Sequence, residues 1–168
     1  MKDMQGRMKT RAFVLMIGII LLCGTKSVSA YTGSGTKSNP YVVTAESGLR
    51  EILTSKGSNS WVYVGIDNDI TIKKNIYVKN GKFRLFAKSQ SRYIKRSGSV
   101  TDNINSGEYP NYCISMAGNA NIEFGCDAMG TNILKLGGNK SKFVDNEKSA
   151  GWLYMASGTT AVIDKDCL

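Results

Sequence analysis

The segment 88–96 (KSQSRYIKR) holds the residues best suited to bind a charged ligand. It contains four basic residues and one tyrosine and has no acidic residue. The five candidates are Lys88, Arg92, Tyr93, Lys95 and Arg96. Clustered positive charge attracts anionic polymers over long distances, and an aromatic ring can stack on a sugar face. The segment is therefore the best candidate in the sequence for binding an acidic polysaccharide or cell-wall polymer. The competing interpretation is a solvated strand face whose long side chains extend outward.

Two pairs of carboxylates could in principle serve a glycosidase. Hydrolysis of a glycosidic bond needs two carboxyl groups about 5 to 9.5 Å apart on either side of one sugar. Glu123 and Asp127 form one pair, and Asp145 and Glu147 form the other. Acids in surface turns commonly serve only to keep the turn solvated, so we predict no catalytic residue. A fragment of a polysaccharide lyase or glycoside hydrolase is the alternative.

No metal centre or cofactor is expected. The run Asp67-Asn68-Asp69 begins like a calcium loop, but it lacks the glycine and the later glutamate that an EF-hand requires. It is predicted to be a turn. The chain has no histidine, which excludes a histidine-based triad and a histidine-containing zinc centre.

The first thirty residues are typical of a secretory signal peptide. A basic start is followed by the apolar run 12–23, and small residues precede Tyr31. The apolar run is shorter than the roughly 20 residues that a membrane-spanning helix needs. We therefore predict cleavage between Ala30 and Tyr31, a secreted or cell-surface location, and no membrane contact after the leader is removed.

Loss of the leader lowers the net charge. The full chain has 22 basic and 13 acidic residues, for a net charge of +9. The leader contains five of the basic residues and one of the acidic residues, so 17 and 12 remain, which gives +5. Much of the basicity therefore belongs to targeting. Nucleic acid is not an expected partner for an exported protein.

The elements that must position these residues are mainly strands. A Gly/Ser-rich lead-in, 31–43, is predicted to be mobile in its first ten residues. One short amphipathic helix is predicted near 45–55, with Thr44 as N-cap. Its apolar face contains Leu49, Ile52 and Leu53, which should cover the open end of the first coil. Strands are predicted at Trp61–Ile66, Ile70–Ile72, Ile76–Val78, Phe83–Ala87 and Tyr112–Met116.

An internal repeat favours one all-β architecture over another. The segments that begin at Ile76, Ile114 and Leu153 share an alternating apolar strand, a glycine-containing turn and a second alternating strand, and the two offsets between them are nearly equal. Such repetition indicates stacked coils, and each copy marks either every coil or every second coil. We predict a right-handed parallel β-helix over 44–168, with the short helix as its cap. An antiparallel β-sandwich is the alternative.

The residues that carry these patterns resemble a known family. The segments NPYVVTAESGLREIL, WVYVGIDNDITIKKNIYV and FRLFAKSQSRYIKRSGS are similar to the N-terminal portion of pectin-lyase-like surface proteins of Gram-positive bacteria. The resemblance spans nearly all of 36–164. It implies a right-handed parallel β-helix whose members are mostly adhesin-like, with pectate lyases sharing the fold.

Two further expectations depend on the coil repeat. The separation of Cys126 and Cys167 is close to the repeat length, so a disulfide or two buried thiols is expected there. At most one bridge can form, since only Cys113 remains beside them after leader removal. We also expect the natural product to continue past Leu168, because the last coil has no visible cap. An exposed last coil would allow self-association.

Overall fold

The computed structural model describes residues 29–101, with the backbone only for 98–101, and residues 112–125, 132–137 and 152–164. Strands predominate in this part of the chain, which confirms the all-β class. The single helix described, α1, covers Glu46–Ser55. The strands are β1 Tyr31–Thr32, β2 Tyr41–Val43, β3 Trp61–Ile66, β4 Ile70–Lys74, β5 Ile76–Val78, β6 Lys82–Ala87, β7 Arg92–Thr101, β8 Ile114–Met116, β9 Asn121–Phe124, β10 Leu134–Gly137, β11 Leu153–Met155 and β12 Thr160–Ile163.

The strands form three sheets, and from β3 onward every third strand returns to the same sheet. Sheet A has the order β1-β2-β3-β6-β9-β12, sheet B has the order β10-β7-β4, and sheet C has the order β11-β8-β5. From β2 onward every described pairing is parallel, and only β1 and β2 pair antiparallel. The antiparallel sandwich does not fit this pairing, because it requires antiparallel ladders between the strands of the repeat.

The three sequence copies lie on neighbouring strands of sheet C. Ile114 is in register with Ile76 on one side and with Leu153 on the other. Met116 is in register with Val78 and Met155 in the same way. Each copy therefore marks the next strand of the sheet and not every second one. Ile114 and Met116 are fully buried, whereas Met155 on the edge strand is 43% exposed.

Alternating residues of the strands build the core. Val62 and Val64 of β3 point inward, and Phe83 and Leu85 stand in register with them on β6. Ile122 and Phe124 continue the same two rows on β9. Because successive side chains of a strand point to opposite faces, one face of each sheet is apolar. The inward residues of the three sheets form one hydrophobic cluster.

Helix α1 buries the predicted face but begins one residue later than predicted. Leu49, Ile52 and Leu53 are at most 1% exposed, and the helix packs against β2, β4 and β5. The N-cap is Ala45, which is extended and makes no side-chain cap bond, so the prediction of Thr44 is wrong. The Glu46 carboxylate accepts the N–H of Lys74 at 3.2 Å and pairs with Arg50 at 2.6 Å. The contact of Glu46 with Lys74 of sheet B therefore fixes the start of the helix.

The lead-in is ordered, contrary to the expectation of mobility. Tyr31 and Thr32 pair with β2, and the Ser34 and Thr36 N–H groups both donate to the Asn39 carbonyl, at 3.1 and 3.2 Å. The N–H of Tyr63 donates to the carbonyl of Gly35 at 2.9 Å, which ties this turn to β3. Hydrogen bonding to the sheet therefore overrides the flexibility that the composition indicates.

Several predicted features fall outside the described residues. They are positions 1–28 of the leader, Asp127, Asp145, Glu147, Cys126 and Cys167. The turn predicted at 67–69 connects β3 to β4, as expected. Within the described ranges, no helix is long and apolar enough to cross a membrane.

Candidate ligand-binding surface

Strand alternation divides the four candidate residues of β7 between two faces. Tyr93 and Lys95 stand on the outer face of sheet B, on either side of the fully buried Ile94. Tyr93 is 37% exposed, and the side chain of Lys95 is 47% exposed. Arg92 and Arg96 occupy the same phase of β7 as Ile94. The structure therefore brings Tyr93 and Lys95 together and places the two arginines in the other phase.

Lys135 completes the outer surface around Tyr93. It lies on β10 in direct register with Tyr93, although the two residues are far apart in the sequence. The Nζ atom of Lys135 lies 5.7 Å from the centre of the Tyr93 ring, and that of Lys95 lies 4.7 Å from it. An ammonium group at such a distance gains about 0.5–1 kcal/mol at an exposed site. We call Tyr93, Lys95 and Lys135 the Tyr93 platform.

Asp69 supports one edge of the Tyr93 platform. Its Oδ1 atom accepts the backbone N–H of Tyr93 at 3.0 Å, and its Oδ2 atom lies 3.3 Å from Nζ of Lys95. The backbone donor, and after it the Lys95 ammonium, hold the pKa of Asp69 below its ordinary value. Asp69 thus offsets the charge of Lys95. Within the described ranges, Lys135 pairs with no carboxylate, so its charge is available to an anion.

The two arginines lie at the first and fifth positions of β7. Arg92 is in register with Leu134, and its guanidinium faces the side-chain amide of Gln90, whose oxygen accepts at 2.7 Å when the amide is assigned in the orientation that pairs it. Arg96 is in register with Ile72, and its Nη1 donates to the carbonyl of Ser97 at 3.3 Å. Both are half-buried, so they contribute less open charge than the sequence indicates.

Lys88 lies on the turn after β6. Its N–H donates to the carbonyl of Ile66 at 3.0 Å, and its own carbonyl accepts from the Asn132 side chain at 2.9 Å. The turn is thereby tied to the strand before it and to the segment that leads into β10. The exposed side chain passes over Gly65 of sheet A. Lys88 is therefore separated from the Tyr93 platform by a change of sheet.

A second polar cluster stands on the outer face of sheet A, around Arg84. The Nε atom of Arg84 donates to Glu123 Oε2 at 2.6 Å, and Nη1 donates to the hydroxyl of Tyr63 at 3.1 Å. The guanidinium carbon lies 4.3 Å from the centre of the Trp61 ring. The bond from Glu123 raises the pKa of Arg84 above its ordinary value. Arg84 and its partners lie on three parallel strands: Trp61 and Tyr63 on β3, Arg84 on β6 and Glu123 on β9.

The carboxylates that the sequence offered for catalysis do not converge in the described ranges. Glu123 is engaged by Arg84, and its companion Asp127 lies outside those ranges, as do Asp145 and Glu147. Asp67 and Asp69 flank the turn between β3 and β4. No group of three histidine, cysteine or acidic residues that could bind a metal is present among the residues searched.

Cys113 is a free, fully buried thiol. Burial raises its pKa from 9.0 to about 12. The thiol therefore remains protonated at neutral pH and has little thiolate to act as a nucleophile or metal ligand. This fits the expectation that the cysteines serve as small buried residues, for the one cysteine that the structure describes.

Comparison of the chain with protein-family models, with curated proteins and with solved structures found no match.

Proposed function

We propose that residues 44–168 form part of a right-handed parallel β-helix in a secreted or surface-displayed, non-enzymatic protein, as the likeness to pectin-lyase-like surface proteins implies. Parallel pairing in all three sheets and the regular return of every third strand support this architecture. A right-handed path is favoured because parallel crossover connections are right-handed in about 98% of cases. The leader, with cleavage between Ala30 and Tyr31, supports export.

Binding of an acidic polysaccharide or cell-wall polymer at the Tyr93 platform is the activity that we infer. One observation carries the inference: Lys135 stands in register with Tyr93, so two ammonium groups flank one aromatic ring. Of the two lysines, Asp69 pairs only with Lys95. A carboxylate-bearing sugar can therefore meet the Lys135 ammonium and contact the exposed part of Tyr93. Because both partners lie on hydrogen-bonded strands, little backbone order has to be gained on binding.

Hexagalacturonate is a suitable acidic probe, and Lys135→Gln is the decisive variant. Loss of one exposed charge contact of about 1 kcal/mol should weaken binding roughly fivefold. The matched control is Lys37→Gln, which removes the same charge from the exposed lead-in. Isothermal titration at low and moderate salt should show the loss for Lys135→Gln, little change for Lys37→Gln, and weaker binding at higher salt. Equal affinities for the two variants would contradict the proposed site.

Self-association through the C-terminal coil belongs to the same proposal. The edge strands β11 and β12 expose Met155 at 43% and Val162 at 52%. In the described part of the chain, β10, β11 and β12 each end their sheet. Edge strands with unpaired backbone groups are ready templates for another strand. We therefore infer that a second copy of the chain can pair with this edge.

A further inference from the structure

A polar cleft follows the segments that lead into three neighbouring strands of sheet A, β3, β6 and β9. Its volume is about 480 Å³, within the usual range of small-ligand sites. Asn59, Asn80 and Asn119 contribute to its lining, each from the turn that precedes β3, β6 or β9. Lys82 lines it as well, and none of its lining residues is acidic. Three neighbouring coils thus present one amide side chain each to the same cleft.

Tight contact between successive turns fixes this row of amides. The backbone N–H of Lys82 donates to the carbonyl of Ser58 at 3.1 Å, and that of Asn121 donates to the carbonyl of Gly81 at 2.9 Å. Gly81 has a φ of +101°, and a Cβ there would lie 2.5 Å from the Cα of Gly57. The turns therefore stack backbone to backbone. Neighbouring parallel strands are about 4.8 Å apart, so the amides repeat at a short, regular interval.

An indole ring follows the lining residues along β3, although it does not itself line the cleft. Trp61 lies two residues after Asn59 and is in register with Lys82. It is partly exposed, and the guanidinium of Arg84 covers it at 4.3 Å. Glu123 in turn pairs with Arg84 at 2.6 Å. This polar network therefore sets the orientation of the Trp61 indole. The remaining exposed part of the indole is free to contact a ligand.

We propose that this cleft binds a neutral, hydroxyl-rich oligosaccharide that extends along the direction of strand stacking. Each asparagine amide offers both a donor and an acceptor, which suits a sugar hydroxyl or an acetamido group. The indole provides an apolar surface for a sugar ring. With a single cation and no carboxylate in the lining, the cleft has little charge with which to select an anion. It is thus distinct in chemistry and position from the Tyr93 platform on sheet B.

Cellohexaose and chitohexaose are the probes, and the emission of Trp61 reports binding without any substitution. The other tryptophan of the mature chain, Trp152, is only 2% exposed and contributes a constant background. Titration of either probe into the full mature chain should shift the tryptophan emission in a saturable way, and hexagalacturonate should not. Absence of a saturable response to both neutral probes at millimolar concentration overturns the inference.

The double substitution Asn80→Ala and Asn119→Ala identifies the site. Loss of two sets of hydrogen bonds, each of about 1 kcal/mol, should weaken binding of the responsive probe at least tenfold. The matched control is Tyr93→Leu with Lys135→Gln, which alters the other surface and should leave the neutral probe bound as before. Equal binding by the asparagine variant, folded as judged by circular dichroism, overturns the inference. If the variant unfolds, protection of the wild-type Asn80 and Asn119 side-chain amides on titration decides the question.

The two proposals can fail separately. Binding of hexagalacturonate with no response to either neutral probe overturns the cleft and leaves the Tyr93 platform in place. Binding of a neutral probe that depends on the asparagines supports the cleft, whatever the acidic probe does.

Discussion

On the outer surface of sheet A, Arg84 contacts Glu123, Tyr63 and Trp61. Its bond to Glu123 is 2.6 Å long, and the two side chains are 26% and 20% exposed. The Lys95–Asp69 pair is longer, at 3.3 Å, and more exposed, at 47% and 45%. Charge-assisted pairs gain strength as exposure falls, whereas exposed pairs contribute little. The two pairs should therefore differ in stability.

A double-mutant cycle tests this difference. With Arg84→Ala and Glu123→Gln, we expect a coupling energy of about 1 kcal/mol in the free energy of unfolding, measured by urea denaturation. The same cycle with Lys95→Ala and Asp69→Asn should give less than about 0.5 kcal/mol. A larger coupling for the second pair would contradict the assignment of Arg84 as the main surface link between β6 and β9.

Cys113 gives a second prediction for a single residue. Because its pKa is raised to about 12 by burial, iodoacetamide at pH 8 should leave its peptide unmodified in the native protein and alkylate it in guanidinium chloride. Peptide-resolved mass spectrometry measures both states. Since the pKa is higher in the folded state, the free energy of unfolding should fall as the pH rises from 9.0 toward about 12. Rapid alkylation of the native thiol would contradict its burial.

The sequence predicted part of the Tyr93 platform. Tyr93 and Lys95 are two positions apart in a strand, and the period of two places them on one face. The same period separates Arg92 and Arg96 from them, which the charge count alone did not reveal. Lys135 reaches Tyr93 only through the register of β7 and β10, which joins distant parts of the sequence. That register depends on the lengths of the intervening turns, and no local pattern near Lys135 indicates it.

At the scale of elements, the stacked turns should be sensitive to glycine substitution. Gly118 has a φ of +59°, and a Cβ there would lie 2.5 Å from the carbonyl oxygen of Lys79. Gly118→Ala should lower the free energy of unfolding by about 2–4 kcal/mol through the left-handed backbone and the contact with Lys79. Gly137→Ala is the control, since among the described residues the nearest atom to its Cβ would be a ring carbon of Tyr93 at 3.6 Å.

Urea denaturation of the two glycine variants provides the measurement. We expect Gly137→Ala to change the free energy of unfolding by less than about 1 kcal/mol. Similar losses for both variants would show that the turns before sheet A are not packed backbone to backbone. The asparagine row of the cleft would then lose its rigid support.

Element positions were predicted best where apolar residues alternate. Ile76–Val78 forms the predicted strand, and β3 has the predicted bounds Trp61–Ile66. The apolar face of α1 was also predicted correctly, because burial of Leu49, Ile52 and Leu53 follows from their spacing. The N-cap was not, because Glu46 is fixed by Lys74 and Arg50, and this contact replaces a local side-chain cap. The lead-in was predicted to be mobile from its composition, and composition carries no information about its pairing with β2.

At the scale of the whole molecule, the repeat was the informative signal. The nearly equal offsets from Ile76 to Ile114 and from Ile114 to Leu153 agree with the register of β5, β8 and β11. The first return of the chain to sheet A takes fewer residues, since Trp61 is already in register with Lys82. A fixed repeat length therefore could not align the first strands, and the contact of Trp61 with Arg84 could not be predicted from the sequence.

Exposure of the last strands gives a prediction about association. Residues 31–168 should form dimers or larger species at high concentration, because Met155 and Val162 are exposed on the strands that end sheets C and A in the described part of the chain. Multi-angle light scattering measures the mass. Met155→Lys with Val162→Lys should shift the population toward the monomer, as charges on edge strands oppose pairing. Monomeric wild-type protein at high concentration would contradict self-association through this edge.

An acidic glycan is proposed to bind where β7 and β10 meet. Backbone amide shifts in a ¹⁵N-labelled sample of the mature chain, recorded as hexagalacturonate is added, locate its binding site. We expect the largest shifts at Tyr93, Lys95, Lys135 and Gly137, with small shifts at Asn80 and Asn119. Shifts concentrated elsewhere, or a titration that moves no resonance of β7 or β10, would contradict it.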